Sequence, residues 1–128
     1  MTNAPLALVL SEPLSLWGGM DPATGELIDA HHPQRGANLA GRAVVMPSAR
    51  GSSSSASVLA EAVRAGVAPA ALLLGEPDLI LSIGSAVAEE LYGVRVPVVV
   101  LPLRDLAAIM DGDPVELDRV QATPSDGP

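Results

Sequence analysis

At 128 residues the chain is long enough for one small domain with a real core, and almost half of it is hydrophobic although phenylalanine is absent and tryptophan and tyrosine occur once each. Without cysteine it forms no disulfide and offers no thiolate to a metal or an iron–sulfur cluster. A net charge of −8, with arginine as the only long cation, argues against a nucleic-acid backbone or an anionic membrane as partner.

Taken in order, residues 5–10 (PLALVL) form a short apolar run that ends at Ser11-Glu12-Pro13 and predicts a strand. No basic region precedes it, and no apolar stretch approaches the roughly 20 residues of a membrane span, so a soluble cytoplasmic protein is expected. Residues 14–17 (LSLW) alternate and predict a second strand that stops at Gly18-Gly19. Asp21-Pro22-Ala23-Thr24-Gly25 has the residues of a tight turn, and extended chain resumes over 26–29, so 14–29 reads as a hairpin. A polar loop with His31 and His32 leads to a strand over 42–46, closed by Pro47. A helix follows from about 53 to 65. Ser52 or Ser53 can cap it, Leu59 and Val63 mark its inner face, and Gly66 is its C-cap.

The runs 70–74 and 79–83 are of buried-strand type, and 84–91 reads as a second helix with Val87 and Leu91 inward and Glu89 and Glu90 outward. Residues 96–101 are the most β-branched run and predict a central strand. A short helix over 103–110 and an amphipathic edge strand over 114–120 complete a single domain of residues 1–122, with 123–128 a frayed, disordered tail. The order, strands first and then alternating strand and helix, predicts an α/β domain with a mixed sheet and packed helices.

The stretch richest in chemistry is Arg50-Gly51-Ser52-Ser53-Ser54-Ser55, between the 42–46 strand and its helix. Main-chain N–H groups at a helix start bind anions, Gly51 lets the backbone approach, and Arg50 can clamp a carboxylate or phosphate. A serine there can act as a general base only where its alkoxide is stabilised. Plain N-capping with spare serines explains the run equally well. The Gly-Lys-Ser/Thr ending of a phosphate-binding P-loop and the Gly-x-Ser-x-Gly of a nucleophile elbow are both absent. Gly18 and Gly19 offer a second backbone site for a ligand, or simply relax a strand end. Adjacent histidines on extended chain point opposite ways, so His31 and His32 read as a solvated or loop-packing pair before metal binding. Trp17 reads as core or interface. The acidic residues Asp105, Asp111, Asp113, Glu116 and Asp118 are scattered and read as solvated surface, not a metal cage.

Together, 15–25 (SLWGGMDPATG), His32-Pro33, Gly41-Arg42, Pro47, the run Arg50 to Ser55 with Val58-Leu59, Gly66-Val67-Ala68-Pro69, Gly84 and Pro97-Val98-Val99-Val100 resemble the small subunit of aconitase X over roughly residues 8–101. The resemblance implies the swivelling β/β/α domain of the aconitase superfamily. It also implies a heterodimer with a cysteine-bearing large subunit that holds the iron–sulfur cluster, leaving no cofactor on this chain. Family members are dehydratases, or hydro-lyases. Bacterial ones of this appearance dehydrate cis-3-hydroxy-L-proline to a pyrroline carboxylate, and archaeal ones dehydrate mevalonate 5-phosphate. Carried over by position, the resemblance makes Ser52, directly after Gly51, the catalytic base, with Arg50, Gly51, Ser53, Ser54, Gly18 and Gly19 binding the small carboxylate substrate. The wording of the motifs tips the substrate towards hydroxyproline. A phosphomevalonate dehydratase small subunit and a non-catalytic anion-binding regulatory domain of the same fold are the alternatives. Relatives carry further chain before the part matching Leu8, which leaves the first strand abbreviated or the start codon misassigned.

Overall fold

The computed structural model of the chain describes residues 4–49 and 53–117. Four short apolar runs form its sheet: β1 (Ala7–Val9), β2 (Ala43–Met46), β3 (Ala71–Leu74) and β4 (Val98–Val100). They lie in the order β1-β2-β3-β4, and each neighbouring pair is parallel. Every residue of β2 and β3 is buried, as befits central strands covered on both faces, which read as unbroken hydrophobic runs. Successive side chains alternate between faces. Val44, Met46, Leu72 and Leu74 join the larger core, together with Leu59, Val63 and Leu81 of the crossover helices. Ala43, Val45, Ala71 and Leu73 join a smaller core closed by Leu106 and Val115. The α/β architecture with packed helices expected from the sequence is therefore present, with a sheet that is parallel in place of the expected mixed one. Antiparallel pairing is confined to the bridges Leu6↔Pro114, Met20↔Leu27 and Glu26↔Asn38.

The helices are the single kinked turn α1 (Leu16–Gly19), α2 (Ser55–Ala65), α3 (Leu79–Tyr92) and α4 (Leu103–Ala107). α2 ends at Gly66, whose φ of +78° is the left-handed geometry of a C-cap. α3 opens at Asp78, which accepts from the Leu81 N–H at 2.9 Å. Among the described residues, no helix is long and apolar enough to cross a membrane.

Several expectations need correction. Residues 79–83 are the first turns of α3, not a strand, because the carboxylate of Asp78 caps a helix there. Val87 and Leu91 are exposed, whereas the inner face of α3 is Leu81, Gly84, Ser85 and Ala88; Glu89 and Glu90 do face outward. The β-branched run 96–101 supplies β4, which lies at the sheet edge; the central strands are β2 (AVVM) and β3 (ALLL). Residues 14–17 pair with no strand: Leu14 and Leu16 are buried, but the chain turns at Gly18, with φ of +79°. The hairpin survives as one bridge, Met20↔Leu27, around the Asp21–Gly25 turn, whose Asp21 carbonyl accepts from the Thr24 and Gly25 N–H groups. α2 begins at Ser55, with Ser54 in the cap position instead of Ser52 or Ser53.

The expected 114–120 edge strand is reduced to the Pro114 bridge, and residues 118–120 lie outside the described residues, as does the expected tail. Residues 111–115 cover the outer edge of β1. The Ala7 N–H donates to the Asp113 carbonyl at 2.7 Å, and the Val9 N–H donates to Asp111 Oδ1 at 2.8 Å. Covering an edge in this way removes a template for unwanted strand pairing. Asp111 and Asp113 therefore have structural work, Asp113 also accepting from the Met110 N–H.

Candidate functional site

In a parallel sheet the loops at the carboxyl ends of the strands are the natural place for a ligand. The serine run leaves β2 at that end, just past Pro47. Of the residues singled out by sequence, Arg50, Gly51 and Ser52 lie outside the described residues. Ser53 is exposed and Ser54 half-buried, and both precede the first turn of α2. Ser55, the last of the run, is buried at 2% exposure.

Ser55 joins the two motif pieces. Its Oγ accepts from the Trp17 N–H at 3.2 Å and stands 3.5 Å from Ser15 Oγ. The Leu16–Gly19 turn is thereby held against the start of α2. Glycine suits both closing positions of the turn. Gly18 has positive φ, and a Cβ on Gly19 would stand 2.7 Å from Leu14 Cδ1. The Gly19 carbonyl accepts from the Ile28 N–H at 2.8 Å, which fixes the turn from its other side. The structure thus brings Gly18 and Gly19 to the same end of the molecule as the start of α2. Trp17 is 58% exposed beside it, so it is no part of the core.

Neither Ser15 nor Ser55 was picked out by sequence as a positioning residue. The available signal was a hydroxyl at the outer end of each motif, but burial distinguishes Ser55 from its three neighbours and burial is a tertiary property. Ser55→Ala is expected to leave the partly buried Trp17 N–H without its acceptor and to lower the unfolding free energy by about 1–2 kcal/mol. Urea unfolding reads this directly. An unchanged midpoint would mean that the bond contributes nothing.

The neighbouring strand ends are tied to the same region. The Gly75 N–H, just after β3, donates to the Pro47 carbonyl at 2.8 Å. A Cβ on Gly75 would meet Leu103 Cδ2 at 2.5 Å, so α4 also closes on this end. Between them lies an open apolar recess of about 340 Å³, bordered by Val9, Leu10, Met46, Pro47, Leu103 and Ala107.

Of the two histidines, His32 packs in the loop and His31 is solvated. His32 is 5% exposed; its Nδ1 accepts from the Gln34 N–H at 3.0 Å and its Nε2 lies 3.0 Å from the Glu12 carbonyl, whereas His31 is exposed. Among the described residues, no group of three or more His, Cys, Asp or Glu is arranged to hold a metal ion. Away from the loop, Arg64 Nε donates to Glu61 at 3.0 Å on the surface of α2. That bond holds the Glu61 carboxyl below its ordinary value and raises the Arg64 guanidinium.

Comparison with known proteins covers the same ground. A family model of the aconitase X swivel domain matches residues 4–123. The cis-3-hydroxy-L-proline dehydratase of Pseudomonas aeruginosa is 52% identical over 97 residues, which is 74% of this chain and 17% of that one. The phosphomevalonate dehydratase small subunit of Methanopyrus kandleri is 39% identical over 111 residues, covering 86% of this chain and 78% of that one. The crystal structure of Thermococcus kodakaraensis aconitase X in its holo-form superposes with a TM-score of 0.72 at 29% identity, over 84% of this chain and 76% of the matched chain. The chain spans about a sixth of the length of the Pseudomonas dehydratase.

Proposed function

Because this chain belongs to the aconitase X swivel-domain family, we propose that it is the small subunit of a dehydratase acting on cis-3-hydroxy-L-proline, completed by a larger partner polypeptide. The observation that supports the reading is the bond between Ser55 and the Trp17 backbone, which holds the Leu-Trp-Gly-Gly turn against the start of α2. In this reading Ser52 removes the α-proton of the substrate. Loss of that proton and of the 3-hydroxyl as water leaves a pyrroline carboxylate. A bare serine is a poor base in water, but the positive end of the α2 helix dipole favours an alkoxide and a bound carboxylate beside it. Arg50, Gly51, Ser53 and Ser54 bind the substrate carboxylate, with the Gly18-Gly19 backbone on the other side.

The iron–sulfur cluster belongs in this reading to the partner. This chain has no cysteine, and its described residues include no metal-holding group, so no step of the chemistry assigned here runs through the cluster. The chain's share is proton removal and anion binding.

The choice of substrate is supported by the higher identity to the hydroxyproline enzyme and by the engagement of Arg42 away from the loop. A phosphorylated substrate needs cationic groups near the loop. Arg42, close to it in sequence, is committed elsewhere, donating from Nε to the Leu6 carbonyl at 3.1 Å and from Nη2 to that of Ala7 at 2.6 Å. Co-expression with the large polypeptide, followed by assay on both substrates, tests the choice. Turnover of cis-3-hydroxy-L-proline with none of mevalonate 5-phosphate is expected; the opposite preference overturns it, and turnover of neither favours the non-catalytic anion-binding domain.

A further inference from the structure

The helix α3 has two apolar sides, and only one is used within the chain. Leu81, Gly84, Ser85 and Ala88 face the sheet and α2. Leu79, Ile83, Val87 and Leu91 recur every fourth residue and are 74%, 48%, 42% and 63% exposed. This spacing makes one continuous ridge roughly 18 Å long. Tyr92 and Val94 extend it, at 41% and 49% exposure. Alongside the ridge, an open groove of about 270 Å³ lies between α2 and α3, its lining including Ala56, Ala60, Glu61, Gly84, Val87 and Tyr92. The groove begins at Ala56, the second residue of α2 and the first after the serine run. An exposed apolar face of this extent marks an interaction site.

Three occupants compete for it. Residues 118–128 contain only Val120 and Ala122 as apolar side chains apart from prolines, too few to cover the ridge. A second copy would bring like charges together. α3 carries exposed Glu89 and Glu90 and no cation, and each chain has a net charge of −8. The third is the larger polypeptide. In the Pseudomonas relative most of the chain lies outside the matched segment, whereas in the Methanopyrus relative the match fills most of a separate small subunit. The same domain thus occurs untethered, where it needs a non-covalent surface to reach its partner.

We infer that the α3 ridge and the α2–α3 groove receive an apolar segment of the large dehydratase polypeptide, bordered by lysine or arginine that faces Glu89 and Glu90. The inference rests on the small-subunit reading above. It places the contact beside the start of α2, so docking and placement of the serine run become one event.

The test is co-purification of the tagged chain with the large dehydratase polypeptide of the same organism, with affinity measured by titration. Three variants are compared with wild type: Ile83→Asp with Val87→Asp, Leu91→Asp alone, and Met110→Asp as a control on an exposed side chain outside both helices. Circular dichroism confirms folding, and Leu91→Asp, at the exposed end of α3, decides the matter if the double variant does not fold. A loss of affinity of 100-fold or more is expected for the double variant and at least 10-fold for Leu91→Asp, with Met110→Asp binding like wild type. Wild-type affinity in the folded ridge variants overturns the inference and leaves the small-subunit reading standing. Failure of the wild-type chain to bind overturns that reading itself. A wild-type dimer dispersed by the ridge variants, with partner binding unaffected, assigns the face to a second copy and likewise overturns the inference.

Discussion

Ser52→Ala is expected to lower kcat of the assembled dehydratase by about 10³-fold, within the range for losing a general base, while KM changes by only a few-fold. The two constants separate because the hydroxyl and its surroundings do different work. In the proposed reading the Oγ takes the proton, whereas the N–H groups at the start of α2 and the side chains of Ser53 and Arg50 hold the carboxylate in ground state and transition state alike. The substitution leaves Ser55 in place, and Ser55 carries the bond that fixes the Leu16–Gly19 turn to α2. Folding and association with the partner should therefore be unchanged. Ser53→Ala in the same assay should raise KM and leave kcat within a few-fold. If Ser53→Ala collapses kcat and Ser52→Ala does not, the base is Ser53.

The second large effect is structural. Gly84 sits within α3 where that helix meets α2. A Cβ there would stand 2.9 Å from both Cα and the carbonyl oxygen of Ala56, and these are backbone atoms with no rotamer to escape into. Gly84→Val must push the helices apart, and overpacking of this kind costs roughly 1–3 kcal/mol. In a domain of this size that loss lowers Tm by roughly 4–15 °C. The helix that would shift is the one whose first residue is Ser55, so activity should fall along with stability. Thermal unfolding checks the first effect and turnover at low temperature the second. A Tm within 1 °C of wild type would show that the α2–α3 contact is loose.

Much of this was legible in the residues. Residues 42–46 and the helix after them were recognisable from a buried run, a proline stop and a glycine C-cap, all local features. The pieces of the motif were legible too, but not their meeting. Nothing local says that Ser15 and Ser55 face one another across 40 positions. The misreading of 79–83 has a physical cause. Leu-Ile-Leu-Ser-Ile is apolar on all sides, and a short run of that kind does not distinguish strand from helix; Asp78 was the discriminating signal, through its cap. The same surplus of apolar residues led Val87 and Leu91 to be placed inside. A sequence records that a side chain is to be kept from water, not whether its own chain or another covers it. The edge position of β4 was hidden for a related reason, since β-branching reports a fit to pleated sheet and not a place in the strand order.

The central claim is that this chain contributes half of a dehydratase active site. The measurement that tests it most directly is single-turnover dehydration of cis-3-hydroxy-L-proline by three samples: the chain alone, the large polypeptide alone, and the two mixed in equal amounts. Pyrroline carboxylate should appear only in the mixture, at a rate that saturates at one chain per partner. Product formed by the large polypeptide alone at the rate of the mixture would contradict the claim.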